Sequence, residues 1–213
     1  MALIRATLGF RLHTGWAAVV AATGEPPLID VLLRRRIELL PPGESIPRFV
    51  YHKAAELNPA GAAALVKRAA AAAVNSARQT LRPILEDLRH RKFAVHAAGI
   101  PTGATPVPDD LGKILGAHPL IHAAEGALFA KAVAAACEEC GLRVITARER
   151  VMWLQVAEAF GMEDPAFRQM LDGLRASIGP PWSADQKTAT AAALLALRTS
   201  GAPLAASRAP SKG

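Results

Sequence analysis

The densest concentration of groups able to do chemistry is His118-Pro119-Leu120-Ile121-His122-Ala123-Ala124-Glu125. On a helix, residues spaced like His118, His122 and Glu125 share one stripe, so two imidazoles and a carboxylate come within reach of one another. Imidazole and carboxylate are donors that Zn2+ and Fe2+ accept, which makes the stripe a candidate divalent-metal site. The zinc-protease order, with glutamate directly after the first histidine, is absent. The plainer reading is helix-start chemistry, in which His118 lies near the N-cap and Glu125 bonds into a loop or pairs with an arginine. Asp185 stands near the start of another predicted helix, just after Ser183. If the two helix starts converge, Glu125 and Asp185 are the candidate catalytic carboxylates, and His122, Glu125 and Asp185 the candidate metal ligands.

Cys137-Glu138-Glu139-Cys140 is a single CxxC without a second pair, so a four-ligand zinc site is not indicated. Its place at a helix C-terminus beside two acids raises a thiol pKa, the reverse of what redox cysteines need. Arg34-Arg35-Arg36 on a strand sends Arg34 and Arg36 to one face and Arg35 to the other. With Arg5, Arg11 and Arg48 they form a candidate surface for DNA or RNA phosphates, with Arg11, Arg34 and Arg36 as the chosen contacts. The competing reading is the defence of an edge strand by charge. No aromatic residue adjoins Arg34-Arg35-Arg36 in the sequence, so binding there would be to the backbone and largely sequence-independent. Trp182, after Gly179-Pro180-Pro181, leads into the last helix either as packing or as a pocket wall. Neither GxGxxG, GxxxxGK[ST] nor GxSxG occurs, which disfavours nucleotide-loop and esterase-type sites.

The chain has 213 residues, 51% hydrophobic but only 5% aromatic, enough to bury a core built mostly of Ala, Leu, Val and Ile. Its 25 Lys+Arg exceed 18 Asp+Glu by 7, and the surplus is uneven. Residues 1–92 hold 14 basic and 7 acidic side chains, whereas residues 93–213 hold 11 of each. A basic first half favours phosphate-rich partners. The first residues lack a charged segment followed by a long apolar one, and Leu12–Thr23 is too short to span a bilayer. Two cysteines so close together cannot staple distant segments. The expectation is a soluble, cytoplasmic protein with no membrane partner.

These groups must be held by regular elements, and the pattern supplies them. Leu3–Phe10, Trp16–Ala21 and Leu28–Leu40 read as three strands joined by short turns, hence an antiparallel meander stopped by Pro41-Pro42-Gly43. Residues 48–92 are helical, interrupted at Asn58-Pro59 and bent at Pro83, with Leu65, Ala69, Ala72, Leu81, Leu85 and Leu88 as the apolar stripe. Phe93–Ala98 reads as a strand, Gly99–Asp110 as a loop and Pro119–Cys140 as a helix. Leu142–Thr146 is a strand, Glu149–Phe160 and Pro165–Ser177 are helices, and a last helix runs from the Ser183 N-cap to about Arg198. One domain over 1–198 and a disordered tail over 199–213 are expected. The order β-β-β-α-β-α-β-α predicts an α/β protein with a mixed sheet and helices on both faces.

That order is also the one of the ribonuclease H-like superfamily, and two stretches resemble its Holliday-junction resolvase branch. Leu8-Gly9-Phe10 with Thr14–Val20 is similar to that branch's first hairpin, and Asp185–Ala189 with Ala191–Leu197 to its final helix. The resemblance implies a site of several carboxylates holding two divalent metals about 4 Å apart. It also implies an aspartate on the first strand, where this chain has Phe10-Arg11-Leu12-His13. On the final helix either Asp185 or Thr188 matches the acidic position, and in the middle of the chain Phe93–Ala98 offers only His96. The expectation is a ribonuclease H-like protein with a degenerate metal site that binds nucleic acid through its basic half. Two alternatives stand beside it: a metal-dependent hydrolase or nuclease using His122, Glu125 and Asp185, and a non-catalytic interaction protein whose alanine-rich helices pair in a homodimer.

Overall fold

The computed structural model describes residues 3–40 and 45–201. The central layer follows from the alternation of side chains along the first strands. In β1 (Ile4–His13), Leu8 and Phe10 enter the core on one face. Thr7 points to the other, where its hydroxyl donates to the Ala193 carbonyl at 2.7 Å. β2 (Trp16–Glu25) divides in the same way, with Ala17, Val19 and Ala21 in one core and Val20 and Ala22 in the second. Gly15, at φ +81°, makes the turn between β1 and β2. β3 (Leu28–Glu38) completes the meander.

The sheet order is β3-β2-β1-β4-β5. The first three strands are antiparallel, while β4 (Phe93–Thr102) runs parallel to β1, and β5 (Arg143–Arg148) parallel to β4. The expected mixed sheet of three antiparallel strands followed by alternating helix and strand is therefore present. Strand boundaries differ from expectation: β2 runs on to Glu25 and β5 to Arg148, and β3 stops at Glu38. β1 continues past Phe10 to His13, and β4 continues past Ala98 through Gly99 to Thr102, where a loop was expected. Gly99 stays in the strand because a helix backbone crosses directly over it, and a Cβ there would sit 2.0 Å from the Ala192 carbonyl oxygen.

One face of the sheet carries α1 (Val50–Ala54), α2 (Pro59–His90), α3 (Leu111–Leu115) and α4 (His118–Glu139). Asn58 caps α2 by accepting from the Gly61 amide at 2.8 Å, and the helix runs on through Pro83. Its buried stripe passes through Leu65, Ala69, Ala73, Ala77, Leu81, Ile84 and Leu88, so Ala73 and Ile84 replace the expected Ala72 and Leu85. That stripe faces this chain's own interior, while Ala63, Ala64 and Ala71 of the same helix are exposed. α4 is long and apolar enough to cross a membrane, but half of its most apolar window is buried, with Leu128, Phe129 and Val133 in the core. Its apolarity is that of a core helix.

The second face carries α5 (Glu149–Ala159), α6 (Asp164–Gly173), α7 (Arg175–Ile178) and α8 (Ala184–Thr199). The single helix expected over 165–177 is broken at Leu174 into α6 and α7. Ser183 and Gln186 form a reciprocal capping box at the start of α8. Trp182 is buried and donates Nε1–H to the Leu171 carbonyl at 2.7 Å, which assigns it to packing. α8 extends one residue beyond the expected boundary, into the segment expected to be disordered. The rest of that tail, 202–213, and Pro41-Pro42-Gly43 lie outside the described residues.

Candidate functional site at the carboxyl end of the sheet

The parallel strands β1 and β4 end on the same side, and α5 starts there directly after β5. In open α/β sheets this is the edge at which ligands bind, because strand-to-helix turns leave a crevice between the two helical layers. Here a cavity of about 400 Å³ opens between these ends and α4. Arg11, Thr102, His122, Lys131 and Glu149 supply its polar walls, with Gly126 and Ala127 at its floor along α4. Arg11 is paired with Glu149, so Lys131 is the charge left over on its wall.

Arg11 lies at the centre of an ion-pair network. Its Nη1 donates to Glu149 Oε2 at 2.6 Å, and its Nε stands 3.9 Å from Asp185 Oδ1. His13 Nε2 lies 2.9 Å from that same Asp185 oxygen, and its ring stacks on Trp16 with centroids 4.1 Å apart. Alternation along β1 explains the convergence: Arg11 and His13 point to the face on which α5 and α8 begin, and each helix has an acid in its first turn. Asp185 is thus the acid of α8 that meets β1, while Thr188 is buried in the packing below.

The sequence-predicted residues separate into three places. Glu125 is buried, and both of its oxygens are occupied at the start of α1. Oε2 accepts from the Val50 amide at 3.1 Å, and Oε1 from the Tyr51 and His52 amides at 2.8 and 3.2 Å and from His52 Nδ1 at 3.1 Å. Its role is the loop-binding one, and it does not meet Asp185 at a shared site. Burial, then the Glu125 charge, push the adjacent Tyr51 hydroxyl pKa up. His122 keeps company with His118, Nε2 to Nε2 at 2.9 Å, and with His52. Asp185 belongs to the Arg11 network. Among the described residues the ligand set His122, Glu125 and Asp185 therefore does not assemble, because Glu125 is turned toward the α1 amides.

The arginines chosen for phosphate contact are also engaged. Arg34 donates from Nη1 to the Gly179 carbonyl at 3.0 Å and to that of Pro181, and from Nη2 to that of Ile178 at 2.7 Å, clamping the lead-in to α8. Arg36 remains exposed, pairs with Glu38 at 2.7 Å and lies 4.0 Å over the Trp16 ring. An aromatic does adjoin the arginines, then, but from the neighbouring strand. His96 lies toward the opposite end of the sheet, where Arg5 Nη2 and Ser200 Oγ approach its Nε2 at 2.8 and 2.9 Å. Pro101 and Thr102, not His96, are the β4 residues at the cavity. Cys137 and Cys140 are free, and burial pushes both thiols up, Cys137 beyond the useful range. Glu149, His13, Lys131 and His52 escaped the sequence reading. Only Glu149 carried a signal, an acid in the first turn after a strand.

No protein-family model matches the chain, and no curated protein matches it by sequence. Solved structures do match it. Thermus thermophilus RuvC in complex with a Holliday junction substrate is similar at a TM-score of 0.52 over 92% of this chain and 94% of that one, with 14% identity. A further Thermus thermophilus RuvC structure gives the same TM-score with 15% identity, over 92% of this chain and 95% of that one. The chain has a ribonuclease H-like fold. For a ribonuclease H-like chain the implied group is a pair of divalent metals held by carboxylates, and the residues here do not fit it. A guanidinium stands on β1 between the two nearest acids, and a permanent cation excludes a second cation from that space.

Proposed function

We propose that this chain binds nucleic acid through its phosphate backbone and does not cleave it by the two-metal route. The observation that carries the reading is Arg11, whose guanidinium meets the carboxylates of Glu149 and Asp185 at the ligand edge of a ribonuclease H-like sheet. A nuclease of this fold needs those acids free to hold Mg2+. Here they are neutralised from within, while Lys131 leaves an uncompensated positive charge on the wall of the adjoining cavity. Support for nucleic acid as the anion comes from the junction-bound protein of similar fold and from the basic surplus of residues 1–92.

The contact surface needs revision from the sequence expectation. Arg34 is replaced by Arg35, which is exposed on the α2 side of β3. Arg91 donates to the Leu32 carbonyl at 3.1 Å, so the basic end of α2, with Arg89 and Lys92, lies along the same edge strand. Fluorescence anisotropy with a labelled duplex and a labelled four-way junction tests the proposal. Binding that weakens as salt is raised, with strands left intact in Mg2+ or Mn2+, is the expected result. Absence of binding at low ionic strength sinks the nucleic-acid reading, and metal-dependent cleavage sinks the degenerate one.

A further inference from the structure

The Glu125 carboxylate does more than hold α1. A carboxylate only accepts hydrogen bonds, so its contact with His52 Nδ1 at 3.1 Å places the ring proton on Nδ1 and leaves Nε2 with a free lone pair. The His52 ring lies edge-on to both His118 and His122, with centroids 5.6 and 4.8 Å away. One ring nitrogen from each of the three histidines falls within 4.8 Å of the other two. Two histidines come from one turn of α4 and the third from α1, and α1 is fastened to α4 by the same glutamate that orients the third ring.

We propose that His52, His118 and His122 form a binding site for a divalent transition metal of the Zn2+ class, with Glu125 as the positioning residue behind His52. Three arguments converge. Nitrogens bound tetrahedrally to Zn2+ at about 2.0–2.1 Å stand about 3.3 Å apart, so the 2.9 Å between His118 and His122 needs only a small opening. Imidazole selects Zn2+, Co2+, Ni2+ or Cu2+ over Mg2+ and Ca2+, which want oxygen. A carboxylate bonded to the far nitrogen of a ligating histidine is the support such sites use to fix the tautomer and raise the basicity of the ring. The set departs from the sequence expectation at two of three ligands: His52 and His118 enter, and Glu125 moves behind the ligands.

Three protein ligands leave a fourth position for water or an anionic oxygen. His122 also lines the cavity that holds Arg11 and Lys131, so a bound metal would add a third cation to its rim. The site is separate from the Arg11 network and does not depend on nucleic-acid binding.

The test uses chelator-stripped full-length protein without nucleic acid. Calorimetric titration with Zn2+ alone is expected to show one equivalent bound, and Co2+ to develop the visible absorption of a tetrahedral site. A large excess of Mg2+ should not displace either. His52→Ala and His118→Ala are each expected to weaken Zn2+ binding by at least tenfold, and Glu125→Gln by about 10–100-fold. His52 and His118 reach the surface, so their variants keep the fold, which circular dichroism verifies should Glu125→Gln unfold. No uptake of Zn2+ by the wild type overturns the proposal. Undiminished binding in His52→Ala also overturns it, since that result assigns the metal to the surface pair on α4 alone. Either outcome leaves salt-sensitive DNA binding as a separate measurement.

Discussion

A guanidinium spreads one charge over five fixed N–H donors and stays charged at any pH a protein survives. Arg11 uses that property to bridge β1 to Glu149 on α5, with Asp185 of α8 close by, so its removal has a readable consequence. Arg11→Asp sets a third carboxylate beside the other two, and like charges at close range destabilise the folded state. The half-exposed pairs limit the loss to about 1–3 kcal/mol. Mn2+ or Mg2+ should then restore part of the melting temperature of the variant, because a metal that binds only the folded chain stabilises it by mass action. The wild-type melting temperature should ignore the same metal. If the variant ignores it too, the acids do not converge on the space that Arg11 fills. His96 provides a pH signature at the other end of the sheet. Burial, then the Arg5 charge, hold its pKa below the ordinary value. The unfolded chain takes up that proton near pH 6.5 and the folded chain does not, so stability falls as pH drops through about 6.5 and levels off below the folded pKa. His96→Gln should flatten that part of the profile, as urea midpoints at pH 7.5 and 5.5 would show. An unchanged slope would falsify the assignment.

Elements constrain the site through contact between backbones. α8 lies on β1 and β4 so closely that a Cβ on Gly9 would sit 1.9 Å from the Ala189 carbonyl oxygen, and one on Gly99 2.0 Å from that of Ala192. Gly9→Ala or Gly99→Ala must therefore lift α8 from the sheet, at a cost of about 1–3 kcal/mol or more. Thermal unfolding of the single variants should show the loss, whereas Gly126→Ala, with open space around its Cβ position inside α4, should melt slightly above the wild type. The topology was legible because its signals are local: alternation in β1 and β2, a positive-φ glycine between them, and a Ser183 cap with Gln186 in place. Gly99 misled because glycine inside a strand looks like a loop until the helix above it is known. Gly173, the last residue of α6, was the one breaker where α6 gives way to α7, and the apolar pattern ran straight through it. The candidate site was half legible. Arg11 stood out as a charge where the resemblance implied an acid, and His118, His122 and Glu125 stood out by spacing. His52 and Glu149 did not, since their partners arrive from segments far away in the chain.

At the scale of the whole molecule the deciding quantity is where the surplus charge lies, and the sheet order makes that testable. The basic excess of 7 belongs to residues 1–92, which supply β1 to β3 and α2, while β5 at the opposite edge belongs to the neutral half. A phosphate backbone drawn to the β3 edge would meet Arg35 and the Arg89–Lys92 end of α2 and remain distant from Arg143 on β5. Each phosphate neutralised on duplex DNA releases counterions and contributes about −0.9 to the slope of log K against log salt. Arg35→Glu combined with Arg89→Glu should therefore make the slope shallower by about 1–2 and weaken binding in low salt. Arg143→Glu, with the same change in charge per residue, should leave both nearly as they are, because a contact term needs proximity and net charge alone adds only a screened long-range part. Anisotropy titrations of the three proteins over a series of salt concentrations separate the two. Equal losses from the β3-edge and β5 variants would mean that the surplus acts as diffuse charge and that no basic edge exists. A loss confined to the β3 edge would mean that a chain whose strand-end acids are tied to Arg11 engages phosphate through contacts of its own.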